Sequence, residues 1–212
     1  TFTFIHAFIN SILISLSTGV VVSIFGLLIS YLLVINHKNF LLQQLLFLTS
    51  SMILIISPII FSLGYFIFFQ GIIHYSYLKF FLVILINVIF LLPFAILIFF
   101  NNLKNLYLNF NDFRKTYRIE LFSYIKIIFP LLKNNFLYVF SFSTVITFGD
   151  FTIISFFRSE NFETLPSYLF KLISTYQFNE ASFVAGTILF FSMVIYFIID
   201  NFNYQGRPDI TT

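Results

Sequence analysis

The sequence predicts an all-α integral membrane protein. Of its 212 residues, 59% are hydrophobic and only 9% are charged, whereas soluble domains average roughly 45–50% and about 25%. The mean hydropathy of +0.99 agrees with this composition. A soluble fold could not cover so much apolar surface with polar groups. The composition therefore excludes the soluble classes of protein, and a dispersed net charge of +3 gives no indication of nucleic-acid binding.

Five apolar segments are long enough to cross a bilayer, which takes about 20 residues of helix. They lie within residues 8–35, 45–69, 80–100, 136–157 and 183–199. The apolar residues run continuously in each segment, whereas the strands of an outer-membrane barrel would alternate. We therefore expect five transmembrane helices in one transmembrane domain, residues 1–202, followed by a polar cytoplasmic tail, residues 203–212.

The basic residues predict the orientation of these helices. The long polar loop 101–135 lies on the side that carries most of the positive charge, and the positive-inside rule makes that side cytoplasmic. The N-terminus of this piece is then outside and the C-terminus is cytoplasmic. An external N-terminus without a signal peptide fits a piece of a longer protein. The cytoplasmic side has eight bases, namely Lys38, Lys104, Arg114, Lys115, Arg118, Lys126, Lys133 and Arg207, against Lys79, Arg158 and Lys171 outside.

Within the cytoplasmic loop, the segment Asn111–Tyr124 predicts a short amphipathic helix. Its apolar residues recur at helical spacing with basic residues between them, and Asn111 or Asp112 is placed to cap its start. Two interpretations stay open. The helix lies on lipid headgroups with its basic face outward, or its aromatic side chains dock into a groove of a cytoplasmic partner. The apolar positions are Phe113, Tyr117, Leu121 and Tyr124.

Polar residues within the predicted spans are the candidates for a pathway. Asp150 follows Gly149 in the fourth span, where a carboxylate is expensive and marks a pathway or a gate. Alternatively, it is an interfacial acid, because it lies about 25 Å of helix beyond Lys133. Pro58 and Pro93 are expected to kink the second and third spans. The remaining polar residues line a pathway or hydrogen-bond between helices; they are Ser57, Asn87, Ser141, Ser143, Thr144 and Thr147.

The outer segment Thr164–Phe178 predicts another short helix. Thr164 and Pro166 are typical of a helix start, and one apolar stripe follows them, formed by Leu165, Leu169, Leu172, Ile173 and Tyr176. The three histidines have no metal-ligand spacing, and the sequence has no nucleotide-binding or hydrolase motif. No metal, cofactor or catalytic residue is therefore predicted.

The order of these parts resembles the permease subunits of bacterial binding-protein-dependent ABC importers. Asn10-Ser11 resembles the start of the first span in that family, and Ser57-Pro58 resembles the proline of the second. Asn87 followed by Leu92-Pro93-Phe94-Ala95 resembles a motif of the third span. The run Phe148-Gly149-Asp150-Phe151 and the later Phe162-Glu163-Thr164-Leu165-Pro166 are similar to the thiamine permease branch, most of all to its C-terminal half. The ferric-iron permeases have a similar layout.

The family's loop motif for the ATPase is only partly retained. Counted back from Pro130, its Glu-Ala-Ala positions fall on Asn111, Asp112 and Phe113, and its Gly falls on Tyr117. The end of the motif, Ile127-Ile128-Phe129-Pro130, is kept. The resemblance therefore implies a divergent coupling helix, which includes Asn111, Asp112, Phe113, Tyr117, Glu120, Leu121 and Pro130.

The resemblance implies the permease core of a type I ABC importer in the bacterial inner membrane. Its partners would be membrane lipid, a second permease half, ABC ATPase subunits that hydrolyse ATP, and a periplasmic solute-binding protein. The solute would be thiamine or a thiamine phosphate. A ferric-iron permease and a non-transporting structural subunit are the alternatives. The translocation pathway would be bordered by Ser57, Pro58, Asn87, Pro93, Thr144, Thr147, Gly149 and Asp150.

Overall fold

The fold is all-helical over the residues that the structure describes. A computed structural model describes residues 2–35, 44, 55–71, 75–117, 121–159 and 162–204. These ranges contain α1 (Phe2–Ile35), α2 (Pro58–Phe68), α3 (Ser76–Tyr117), α4 (Leu121–Gly149), α5 (Ile154–Phe157), α6 (Leu165–Ser174) and α7 (Phe178–Tyr204). The predicted all-α class is confirmed.

Three of these helices are long and apolar enough to cross a membrane. Their apolar stretches are Thr3–Val34, Tyr77–Leu106 and Phe178–Ile198, and they contain the predicted first, third and fifth spans. Of the predicted second span, residues 58–68 form the shorter apolar helix α2, and residues 45–54 lie outside the described residues. The predicted fourth span lies in α4 and α5. Within the described residues α4 is not one of the three candidates, and polar Lys133, Asn134 and Asn135 stand in it.

Helix α1 is arranged with its small polar residues inward and its large apolar residues outward. Ser15, Thr18 and Ser23 are fully buried, whereas Leu13, Val20 and Leu28 are nearly half exposed. This is the reverse of a soluble helix, in which the apolar face is buried. It suits a helix whose outer surface contacts lipid, since helices in membranes associate through small residues and hydrogen bonds.

Helix α1 packs against α3 and α4 at two glycines. A Cβ at Gly26 would lie 2.6 Å from the Cβ of Ala95 on α3, and a Cβ at Gly19 would collide with Oγ1 of Thr144 on α4. One turn beyond Gly26, the hydroxyl of Ser30 donates to the carbonyl oxygen of Ile96 at 3.2 Å. The helices approach this closely because glycine has no side chain.

Three apolar clusters hold the remaining elements to α1. The central cluster joins α1, α3 and α4 and includes Val22, Ala95, Phe99 and Val139. A second cluster contains Ile14, Val83 and Phe157 and gathers the aromatic rings of α2. The third joins α1 to α6 and α7 through Ala7, Leu165 and Val184. The short helix α6 is therefore part of the helical bundle and is packed at one end of α1.

Helix α3 continues well past the predicted third span. It has 42 residues, or about 63 Å at about 1.5 Å per residue, roughly twice the hydrocarbon thickness of a bilayer. Residues 101–117 of the predicted cytoplasmic loop are therefore helical and extend the span without a break.

Candidate functional site

Asp150 lies at the turn that ends α4. Helix α4 stops at Gly149, and the Asp150 carboxylate accepts hydrogen bonds from the backbone amides of Thr152 at 2.9 Å and Ile153 at 3.3 Å. These amides precede the short helix α5 and have no carbonyl partner from a preceding turn. A short acidic side chain suits this position because it accepts from nearby backbone amides. The geometry thus gives Asp150 a local structural role.

The predicted pathway residues on α3 and α4 are buried among the helices. The Asn87 amide donates to the carbonyl oxygen of Val83 at 3.0 Å, one turn earlier in its own helix. Thr144 is fully buried and donates to the carbonyl oxygen of Phe140 at 2.6 Å. Thr147 is also buried, and within the described residues its hydroxyl has no hydrogen-bond partner. Asn87 and Thr144 thus bond the backbone of their own helices, and Thr144 also lies beside Gly19 of α1.

The two prolines occupy different kinds of position. Pro93 is buried inside α3, as expected for a proline within a span. Pro58 is instead the first residue of α2, where its missing amide hydrogen costs nothing. Ser57 before it is exposed and extended, with φ −60° and ψ 131°, the conformation that a following proline favours. The expected kink at Pro58 is therefore replaced by a helix start.

The eight predicted pathway residues are spread over three places. Ser57 and Pro58 lie at the start of α2, Asn87 and Pro93 lie within α3, and the other four lie at the end of α4. Within the described part of the chain, their side chains make no hydrogen bond to one another. Gly149 alone among them lines an open apolar crevice of about 390 Å³, which is walled mainly by α6 and α7.

The predicted docking segment divides between two helices. The backbone of residues 111–117 is the end of α3, and the backbone of 121–124 is the first turn of α4. Residues 118–120, including Glu120, lie outside the described residues. Pro130 lies within α4, and Asn111, Asp112, Phe113, Tyr117 and Leu121 belong to the helical stretches just given. Helical structure is thus observed on both sides of residues 118–120.

The short helix predicted within Thr164–Phe178 is confirmed as α6. It begins after Thr164, whose amide donates to Oγ of Ser167 at 2.8 Å, and Pro166 occupies its first turn. Leu165 and Leu172 of the predicted apolar stripe are buried, whereas Tyr176 is 81% exposed. Tyr176 follows the helix with a positive φ of 59°. The apolar stripe is therefore buried at Leu165 and exposed at Tyr176.

Sequence reasoning missed the partners of Asn10 and Ser11. The Asn10 amide donates to the carbonyl oxygen of Glu163 at 3.0 Å, and the Ser11 hydroxyl accepts from the amide of Leu165 at 2.7 Å. These two bonds hold the beginning of α6 against α1. Two adjacent polar residues in an apolar span were a signal of a specific contact, but nothing near them in the chain indicated its partner.

The apolar helices, the inward-facing small residues and the buried polar groups are those of a helical membrane protein. No protein-family model matches the chain. It is 25% identical over 165 residues to the thiamine transport system permease protein ThiP of Escherichia coli (strain K12), an alignment that covers 77% of this chain and 31% of that protein. It is also 25% identical over 158 residues to ThiP of Salmonella typhimurium, covering 74% of this chain and 30% of that protein.

These relatives confirm the resemblance to permeases of ABC importers that the motifs predicted, in particular to the thiamine branch. Both are, by name, permease proteins of transport systems. The chain spans less than a third of the length of each relative.

Proposed function

We propose that this chain is one transmembrane half of an ABC importer permease that moves thiamine or a thiamine phosphate across the bacterial inner membrane. The observation that carries the proposal is the similarity to two thiamine transport permeases over about three quarters of the chain. The ordered motifs from Asn10 to Pro166 support it. The three membrane-crossing candidates and the inward-facing polar residues of α1 are what such a protein requires.

In this proposal the chain has the five spans of a type I permease core. Helices α2 and α4 supply the second and fourth spans, α1 begins outside, and α7 ends in the cytoplasm. Exposed Ser57, Pro58 and Gly149, with half-buried Asp150, border the solute pathway, which a second permease half completes, while buried Asn87, Thr144 and Thr147 lie between the helices around it. ATP is hydrolysed by separate ATPase subunits, and a periplasmic binding protein delivers the solute.

The segment Asn111–Tyr124 is the proposed docking site for the ATPase. A helix as long as α3, with about 63 Å of rigid length, extends from the predicted span into the cytoplasmic loop. Movement of the ATPase subunits would therefore be transmitted along a continuous helix to the membrane region, which is rigid-body coupling.

The first test is a mild-detergent pull-down of the full-length protein from its native membrane, with the bound proteins identified by mass spectrometry. We expect an ABC ATPase and a periplasmic binding protein in the eluate, and we expect that binding protein to carry thiamine or its phosphate. A known importer purified in parallel shows whether the detergent preserves such complexes.

Two outcomes would overturn the proposal. A binding protein loaded with ferric iron would make the chain an iron permease. Absence of an ATPase, when the control importer keeps its own, would favour a non-transporting structural subunit. Uptake of radiolabelled thiamine into proteoliposomes that contain the purified complex and internal ATP then measures transport directly.

A further inference from the structure

An open cleft of about 550 Å³ lies between the beginning of α1, helix α6 and the beginning of α7. Its volume is within the usual range of about 300–1,000 Å³ for small-molecule sites. The buried side chains of Leu172 and Val184 lie at its wall. Three aromatic rings, Phe4, Tyr168 and Phe183, and one carboxylate, Glu180, also line it. It is separate from the predicted pathway residues, none of which lines it.

The ring of Phe4 lies beside both of the other rings, those of Tyr168 and Phe183. The ring centroid of Phe4 lies 6.4 Å from that of Tyr168 and 6.0 Å from that of Phe183, and the ring planes are inclined by 62° and 48°. Inclined rings leave parts of their faces uncovered. The face of an aromatic ring carries partial negative charge and attracts cations. Phe183 is 66% exposed, so much of its ring is not covered by the rest of the chain.

The charge of the cleft is negative. Glu180 lies in the first turn of α7 and is exposed. The nearby base, Lys171, is already paired with another carboxylate: its Nζ lies 3.0 Å from Oε1 of Glu163. Glu180 therefore keeps an unneutralised carboxylate beside the rings, with the neighbouring amide of Asn179 at the same wall.

We propose that this cleft binds a soluble organic cation through cation–π contact with Phe4, Tyr168 and Phe183 and through charge attraction to Glu180. The cation would carry a quaternary nitrogen, because such a centre is weakly hydrated and is recognised by clusters of aromatic rings. Only the identity of the cation rests on the proposed function. If the chain is a thiamine permease half, the quaternary thiazolium ring of the solute fits this description, and the proposed orientation places the cleft at the outer face.

The proposal is tested by equilibrium binding to the full-length permease, without ATPase or binding protein, in phosphatidylglycerol nanodiscs. Radiolabelled thiamine is the probe. We expect saturable binding that is about fivefold weaker in Glu180→Gln, the upper range for an exposed charge pair. Phe183→Leu should weaken it about two- to fivefold, as expected for an exposed cation–π contact. Neither exposed substitution threatens the fold.

Phe190→Leu is the matched control for Phe183→Leu, since Phe190 is a similarly exposed ring of α7 that does not line the cleft. It should leave thiamine binding unchanged. Choline should compete with thiamine, whereas its neutral carbon isostere should not. Higher salt should weaken binding by the wild type more than binding by Glu180→Gln, because screening acts on the charge pair.

Absence of saturable binding of both thiamine and choline, or equal binding by the wild type, Glu180→Gln and Phe183→Leu, would overturn the proposal. Phosphatidylethanolamine carries a cationic headgroup. If adding it to the nanodiscs abolished thiamine binding, the cleft would be a lipid headgroup site and the soluble-cation proposal would be wrong.

The cleft and the proposed function can each be refuted without refuting the other. A complex that transports thiamine, but whose permease binds thiamine equally in the wild type and Glu180→Gln, would refute the cleft alone. A chain that binds the cation through Glu180 but co-purifies with no ATPase would refute the importer alone.

Discussion

The backbone amide of Leu165 donates a hydrogen bond of 2.7 Å to the hydroxyl of Ser11, which lies 154 residues earlier in the chain. The amide belongs to the first residue of α6, where no carbonyl of the helix itself is available. The acceptor comes from the buried face of α1. One short polar side chain thus holds the beginning of α6 against α1.

Replacing Ser11 by alanine removes this acceptor and leaves a buried amide without a partner. We expect Ser11→Ala to lower the free energy of unfolding by about 1–3 kcal/mol, the cost of an unsatisfied buried group. Reversible unfolding in mixed detergent micelles, followed by circular dichroism, measures it. Ser182→Ala is the control, because Ser182 is exposed and bonds only the carbonyl of Phe178 in its own helix. Equal stability of the two variants would show that the bond contributes nothing.

Gly19 and Gly186 form a matched pair of helical glycines. A Cβ at Gly19 would meet Thr144 and Phe140, whereas a Cβ at Gly186 would meet nothing within 4 Å. We expect Gly19→Ala to destabilise by about 1–3 kcal/mol through overpacking. Gly186→Ala should be neutral or stabilising by up to about 1 kcal/mol, since alanine favours helix.

The same unfolding measurement compares these glycine variants. Thr144→Ala removes the hydroxyl that the new Cβ would strike, so it should recover part of the loss in Gly19→Ala, a coupling visible in a double-mutant cycle. If Gly19→Ala were as stable as Gly186→Ala, the result would contradict the close packing of α1 against α4 at Gly19.

Two substitutions of Asp150 distinguish the effect of its hydrogen bonds from the effect of its charge. In Asp150→Asn the side-chain oxygen still accepts from the amide of Thr152, so the stability should remain close to that of the wild type. Asp150→Ala loses both acceptor bonds and should cost about 1 kcal/mol, as for a lost helix cap. If the carboxylate borders the path of a cationic solute, thiamine uptake should fall severalfold in both variants. Normal uptake by Asp150→Asn would leave Asp150 with its turn-capping role alone.

Substitutions of apolar and of basic residues in the segment Asn111–Tyr124 distinguish docking of an ATPase from binding to lipid headgroups. Leu121→Asp or Tyr117→Asp should abolish co-purification of the ATPase, because a charge placed in an apolar contact is strongly unfavourable. Joint replacement of Arg114 and Lys115 by serine should leave the ATPase bound. If the basic pair matters and the apolar residues do not, the helix lies on lipid headgroups instead. The yield of folded permease in detergent controls for general damage.

The local elements were predictable from patterns within one segment. A continuous apolar run predicts a crossing helix because about 20 such residues match the thickness of the bilayer, and α1, α3 and α7 agree with it. The start of α6 was predictable because Thr164 and Pro166 act on amides within one turn of themselves. Pro58 shows the limit of this reasoning, since the same residue type permits a kink or a helix start.

The sequence by itself determined that this is a helical membrane protein, where its apolar helices lie and which permeases it resembles, because composition and short-range periodicity suffice for these. Only the tertiary structure decided that Gly19 meets Thr144, that Ser11 accepts from Leu165, and that Phe4, Tyr168 and Glu180 line one cleft. Such contacts join residues far apart in the chain. They depend on how whole helices pack against one another, which no pattern within a single helix records.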